Sequence, residues 1–149
     1  MGAGGLMQVV LDTNVLLAAL IAPRGAPDLI FRAWRSGRFE LVTSDTQLDE
    51  LRRASRYPKL RSILPAHRVG TMMNNLQQAV VLNTLPALPD DIVLADANDE
   101  FVLAMALPSD ADYLVTGDKR SGLLALGKLG RTRLVTPTAF CSAVLSRPG

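Results

Sequence analysis

The chain has one cysteine and one histidine in 149 residues. A lone Cys141 excludes an intramolecular disulfide. Cys141 and His67 together cannot make a zinc site of the usual Cys/His type. A Ser-His-Asp or Cys-His enzyme would rest entirely on His67. Aromatic residues are only 5% of the chain, so stacking platforms for single-stranded bases are few. The longest apolar run, Val15 to Ala22, is far below the roughly 20 residues that span a bilayer. Neither sign of charge dominates. Lys and Arg number 16 against 14 Asp and Glu, a net +2, which permits a nucleic-acid partner without arguing strongly for one. The start, Met1 to Leu6, is Gly-rich and has no basic or long apolar stretch of the kind a signal peptide needs. Residues 1–6 are expected to be a disordered N-terminal extension or a cloning remnant ahead of a natural start at Met7. Cytoplasm is the expected compartment, with no membrane association.

What the chain does have is 48% apolar and 20% charged residues, the balance of an ordinary globular protein. The length predicts one domain, over residues 7–146. It is enough to bury about 68–70% of the unfolded surface without a disulfide or metal. No repeat, low-complexity segment or linker interrupts it. Strand and helix patterns alternate. Val9–Leu11, Phe39–Thr43, Tyr113–Val115 and Arg133–Val135 read as short buried strands. Ile92–Leu94 reads as a short strand or an extended connection. Helices are expected from Val15 to Ile21, and from Pro27 to a stop at Gly37. The next runs from a Ser44 N-cap, with Gln47 completing a capping box, to about Arg56. A helix after Pro65 would carry the stripe Val69, Met73, Leu76 and Val80. Another would be capped by Asn98 or Asp99 and end early at Pro108. The last would start at Thr136-Pro137 and run to about Leu145. This alternation predicts an α/β fold with a central, mostly parallel sheet. Ligands of such sheets bind beyond the carboxyl ends of the strands.

Acids stand at those ends. Asp12 directly follows the first strand. Ser44 and Asp45 follow the second, and Glu50 lies on the helix after it. Asp118 follows Tyr113–Val115 closely, and Asp96 and Asp99 stand at a helix start. Each has a plain structural reading: a turn or N-cap for Asp12, a helix-start acid for Asp99, a solvated neighbour of Arg53 for Glu50. Asp90, Asp91, Asp110 and Asp112 are read as loop acids only. Together the first group is harder to dismiss. Two carboxylates about 4 Å apart repel by roughly 4 kcal/mol at an effective dielectric near 20. Their convergence needs a cation or raised pKa values. An oxygen-only site suits Mg²⁺ or Mn²⁺. Such ions bind a phosphate and lower the pKa of a bound water, which points to phosphoryl transfer to water.

The order of motifs resembles the PIN-domain ribonucleases. The likeness runs through Val9-Val10-Leu11-Asp12-Thr13-Asn14-Val15-Leu16, Val42-Thr43-Ser44, Leu48-Asp49-Glu50-Leu51-Arg52-Arg53, Asp96-Ala97-Asn98-Asp99, Ala111 to Lys119 and Leu134 to Phe140. The resemblance implies a single three-layer α/β/α domain and a Mg²⁺- or Mn²⁺-dependent endoribonuclease. It implies an acidic cluster of Asp12, Glu50, Asp99 and Asp118, with Thr13, Asn14, Ser44, Asp96 and Thr116 as polar support. The chain looks most like the toxin halves (VapC-like) of bacterial toxin–antitoxin pairs. That implies RNA as substrate, a cognate antitoxin as partner, and room for a homodimer. Two departures stand out. Ala97 and Asn98 replace the second and third residues of a loop that often reads Asp-Pro-Asp-Asp, and Arg120 stands where a further acid often does. The number of metal ions is therefore left open.

Arg52, Arg53, Arg56, Lys59 and Arg61 form a basic run. It is either a solvated face or a phosphate track. Arg52, Arg56 and Lys59 share a face if the helix continues that far. Lys119 and Arg120 are placed to reach a phosphate beside Asp118. Phe31, Trp34, Phe101, Phe140 and Cys141 are expected in the core, and His67 on the surface. A non-catalytic RNA- or protein-binding module on the same fold, or a processing or decay nuclease, remains an alternative. A receiver-like phosphorylation switch is disfavoured, because Asp12 lacks the paired acid such a switch needs.

Overall fold

A computed structural model of the protein describes residues 6–92, 97–117 and 123–146, excepting the side chains at 97–99. Strands β1 (Gln8–Leu11), β2 (Glu40–Ser44), β3 (Val80–Leu82), β4 (Tyr113–Val115), β5 (Lys128–Leu129) and β6 (Thr132–Val135) form one sheet in the order β3-β2-β1-β4-β6-β5. All pairings are parallel except β5 with β6. Helices α1 (Thr13–Ile21), α2 (Ala26–Arg35), α3 (Asp45–Ser55), α4 (Pro58–Arg61), α5 (Ala66–Leu76), α6 (Ala97–Ser109), α7 (Leu123–Leu126) and α8 (Pro137–Phe140) connect them. A π-helical turn, Cys141–Leu145, continues α8. This is the three-layer α/β/α arrangement expected.

The two-residue period of the strands divides the core. Val9, Leu11, Leu41 and Val115 face one side, packed under α1, α2, α3, α5 and the C-terminal turns. Val10, Val42, Leu114 and Leu134 face the other, under α6 and Leu123 of α7. Sheet strands covered on both faces are apolar throughout, which is why they read as continuous runs. Phe39, Tyr113 and Phe140 meet edge to face, with the Tyr113 and Phe39 ring centroids 5.3 and 5.6 Å from that of Phe140. Trp34 and Phe31 are core residues, Phe101 is half-buried, and His67 is exposed. Cys141 is half-buried, and that burial pushes its thiol pKa up.

Local signals at the helix ends act largely as read. Ser44 Oγ accepts from the Gln47 N–H at 3.0 Å, and Thr136 Oγ1 from the Ala139 N–H at 3.1 Å. Gly37, at φ +84°, closes α2: Arg38 N–H returns to Ala33 O and Gly37 N–H to Trp34 O.

Three expectations are corrected. Val80 is not on the helical stripe. The helix ends at Leu76, and Val80 opens β3 on the sheet edge. Its spacing from Leu76 matched a helix by coincidence. Met72 takes its place, joining Leu76 as a buried residue of α5. Ile92 lies outside any strand, and Val93 and Leu94 lie outside the described residues. Helix α6 already includes Ala97, so neither Asn98 nor Asp99 stands outside it as a cap. Pro108 does not end α6 early. It sits in the last turn, where only one ladder bond is forfeited. The Ser109 hydroxyl then donates to Met105 O and Ala106 O, at 3.1 and 3.3 Å. Edge strand β5 escaped detection altogether. Its signal was the short Gly130-Arg131 connection of a tight hairpin, with Gly130 at φ +58°.

Helix α6 closes as α2 does, with Ala111 N–H on Ala106 O, but the left-handed position holds Asp110 at φ +48°. Asp110→Gly is expected to raise stability by up to about 1 kcal/mol, since glycine enters this region freely. Gly37→Ala is expected to lower it by about 1–2 kcal/mol, because space is open there and only backbone strain is added. Urea unfolding of the two variants checks both signs.

Candidate functional site

The chain runs outward from β1 to β2 to β3, then crosses back to β4 on the other side of β1. The carboxyl ends of β1 and β4 therefore flank the switch point, where open α/β sheets place their ligands. Asp12 stands there, only 6% exposed. Its backbone N–H bonds to Val115 O at 2.9 Å, continuing the β1–β4 ladder by one step. Its carbonyl receives Val15 N–H and Leu16 N–H and so begins α1. Its side chain makes no capping bond. Instead Asp12 Oδ2 accepts from Thr116 Oγ1 at 2.8 Å. That removes the plain N-cap reading of Asp12: the carboxylate is directed across the switch point to the end of β4.

The next segment is held to this one by Gln47. Its side chain is almost wholly buried and does not return to Ser44, as a full capping box would require. Gln47 Nε2 donates to Leu11 O at 2.6 Å and to Thr13 Oγ1 at 3.4 Å. Gln47 Oε1 accepts from Thr43 Oγ1 at 2.7 Å. One amide thus joins the ends of β1 and β2 to the starts of α1 and α3. It satisfies groups that burial would otherwise leave at a cost. Thr13 and Ser44 are likewise buried and engaged with Gln47. This role of Gln47 was missed. The capping-box spacing located the residue, but not the carbonyl it turns to.

Glu50 lies one turn further along α3. Its side chain is 16% exposed, and Oε2 accepts from Arg53 at 2.9 Å. Arg53 is itself well exposed, so this pair adds little to stability. It does supply a positive charge beside a shielded carboxylate. Asp99 falls in the first turn of α6, the helix that crosses β1, β2 and β4, and its side chain lies outside the described set. Asp96, Asp118, Lys119 and Arg120 lie outside the described residues altogether. Among the described residues, no three Asp, Glu, His or Cys side chains are grouped closely enough to hold a metal. The described residues include one buried carboxylate, Asp12, with the Thr116 hydroxyl on it, and one shielded carboxylate, Glu50. All are hard oxygen ligands of the type Mg²⁺ and Mn²⁺ prefer.

The basic run is not one face. Helix α3 ends at Ser55, Tyr57 is extended ahead of Pro58, and a separate turn, α4, follows. The residue before a proline resists the helical region, which breaks the alignment of Arg52 and Arg56 with Lys59. Arg52 pairs with Asp49 at 3.0 Å, as Arg53 does with Glu50. Arg56 is exposed at the end of α3.

Asp112, read as a loop acid, and Asp28, in the first turn of α2, have defined structural partners. Asp112 accepts from Gln8 N–H at 2.8 Å and from Arg131 at 2.6 Å, tying β1 to the β5–β6 hairpin at the opposite end of the sheet. Asp28 is buried and accepts from Arg24 N–H and Arg32 Nε, both at 2.9 Å. It stabilises the turn at which α1 and α2 meet at about 100°.

The sequence model of one protein family, described as PIN domain, matches residues 8–120. No curated protein matches the chain. Among the described residues, no single helix is long and apolar enough to cross a membrane.

Gln47→Leu is expected to destabilise the protein by at least about 2 kcal/mol, since Leu11 O and Thr43 Oγ1 are each left without this partner in a buried site. Gln78→Leu, which removes an exposed bond to Arg35, is expected to cost no more than about 0.5 kcal/mol. Paired thermal melts compare them. Equal stability of Gln47→Leu and wild type would remove the staple role.

Proposed function

The chain belongs to the PIN domain family, whose members are generally nucleases that typically use divalent metal ions, and on that premise we propose that it is a Mg²⁺- or Mn²⁺-dependent endoribonuclease. The observation that carries this reading is Asp12. A buried carboxylate at the switch point, turned away from capping its own helix, is placed to serve a ligand.

In this reading Asp12, Glu50, Asp99 and Asp118 hold the metal, directly or through water, with Asp96 nearby as polar support. The ion, when bound, polarises the scissile phosphate and favours ionisation of the attacking water. Thr116 fixes the rotamer of Asp12 by its hydrogen bond. Gln47 keeps the Asp12 turn and the Glu50 helix in register. Glu50 is a ligand or orients the attacking water. Arg52, Arg53, Arg56, Lys119 and Arg120 offset the negative charge that an RNA backbone would otherwise meet. Arg53 is already beside Glu50. The motif order supports a finer assignment, the toxin of a toxin–antitoxin pair, with a cognate antitoxin as partner. Induced expression should then arrest growth, and Asp12→Asn should not.

Metal binding and chemistry separate experimentally. Mn²⁺ and Mg²⁺ are expected to raise the melting temperature by mass action, and Ca²⁺ to bind without supporting cleavage. Asp12→Asn and Asp118→Asn should abolish cleavage of structured and single-stranded RNAs. They should leave the metal-free protein as stable as wild type or slightly more so, because carboxylate repulsion is relieved. A large loss of stability with cleavage retained would make these residues structural. Equal cleavage by Asp99→Asn and wild type would indicate a contaminating nuclease.

Replacing Arg52, Arg53 and Arg56 by Gln should weaken RNA binding and flatten its salt dependence, by about one unit of slope for each phosphate no longer neutralised. Mn²⁺ binding should persist. An unchanged slope would remove these arginines from the RNA path.

A further inference from the structure

A cleft of about 260 Å³ opens beside the candidate site, lined by Asn14, Val15, Ala18, Pro27, Gly117 and Pro137. Asn14 follows Asp12 by two residues and Gly117 directly follows Thr116, so the cleft adjoins the Asp12–Thr116 pair. Asn14 and Gly117 are exposed and Val15 is buried, while Ala18, Pro27 and Pro137 are half-buried. The lining is therefore mostly apolar. Asn14 carries its one polar side chain, and no charged residue is among the described lining residues.

That chemistry selects an occupant. The described lining residues offer apolar contact and one amide rather than a charged partner. A flat, weakly polar group would lie against the ring faces of Pro27 and Pro137 and the methyl groups of Val15 and Ala18. An asparagine amide offers donors and an acceptor together, and the edge of a nucleobase presents the same combination. Single-stranded bases are generally held by stacking on aromatic side chains; in a chain with only 5% aromatic residues, the apolar lining of this cleft offers a base dispersion contact and burial instead. We propose that the cleft seats the base of the nucleotide next to the scissile phosphate, with Asn14 pairing to its edge. It would thereby contribute to the choice of cleavage site. The proposal rests on the nuclease reading above.

Its test does not need cleavage. Backbone amide shifts of Val15, Ala18 and Gly117 are followed by NMR as adenosine, uridine or ribose 5-phosphate is added at millimolar concentration. Both nucleosides, or one of them, should move these amides, and ribose 5-phosphate should not. Ala18→Leu fills the cleft and should weaken the nucleoside effect about tenfold or more, leaving the rise in melting temperature with Mn²⁺ unchanged. Pro137→Ala removes one wall at a helix-start position that tolerates alanine, and should weaken it also. Silence from every nucleoside, or equal shifts from ribose 5-phosphate, overturns the proposal. So does a response to an apolar peptide alone, which would assign the cleft to a protein partner. Cleavage assays then separate the two readings. An RNA with one abasic nucleotide at the cut junction should be cut there about tenfold more slowly than its parent. Equal cutting overturns the cleft while sparing the nuclease. Nucleoside shifts without cleavage of any RNA would keep the cleft and remove the nuclease.

Discussion

Parallel pairing of β1 with β4 brings together two strand ends that are 104 residues apart in the chain, Val10 opposite Leu114 and Leu11 opposite Val115. Because the chain leaves β1 on one side and returns on the other, no crossover helix covers the ends of these two strands. The Asp12 N–H extends the ladder to Val115 O, and Thr116 N–H extends the next one to Val135 O. Two polar residues are thereby set side by side at the top of an apolar sheet. The Thr116–Asp12 hydrogen bond is a consequence of that register. A slip by one residue would turn both side chains to opposite faces.

The surrounding polar groups are satisfied with little redundancy. Leu11 O, at the last residue of β1, faces a helix start, and the Gln47 amide reaches it across 36 residues. The same amide receives Thr43, so the ends of β1 and β2 are held as one unit. A buried polar network of this kind is costly if any member is missing and rigid if all are present. Rigidity is what a carboxylate site needs, since its charges must stay close without relaxing apart.

In the proposed reading, function rests on two chemistries close to Asp12. One is its buried carboxylate and the Thr116 hydroxyl bonded to it. The other is the mostly apolar cleft lined by residues of α1, α2 and the start of α8. An RNA chain has both chemistries in alternation, charged phosphate and flat base. A strand laid across Asp12 would meet a partner for each.

Much of this was readable locally. Short apolar runs marked β1, β2, β4 and β6. Ser44, Thr136 and Gly37 marked helix ends, because capping is decided within a few residues. The acids could be named from their positions after strands. Edge strands β3 and β5 could not: β3 directly continues the apolar pattern of the helix before it, and the two residues of β5 carry no period. Val80 was absorbed into a helical stripe for the same reason. Nor could local pattern say that Asp12 turns to Thr116, that Gln47 abandons its capping box for Leu11 O, or that Asp112 bridges to Arg131. Each depends on a partner far away in the chain. Hydrophobic period and caps are properties of a segment, and they specify which elements form. Which polar side chain meets which is set by strand order and register, and those exist only once the sheet has assembled.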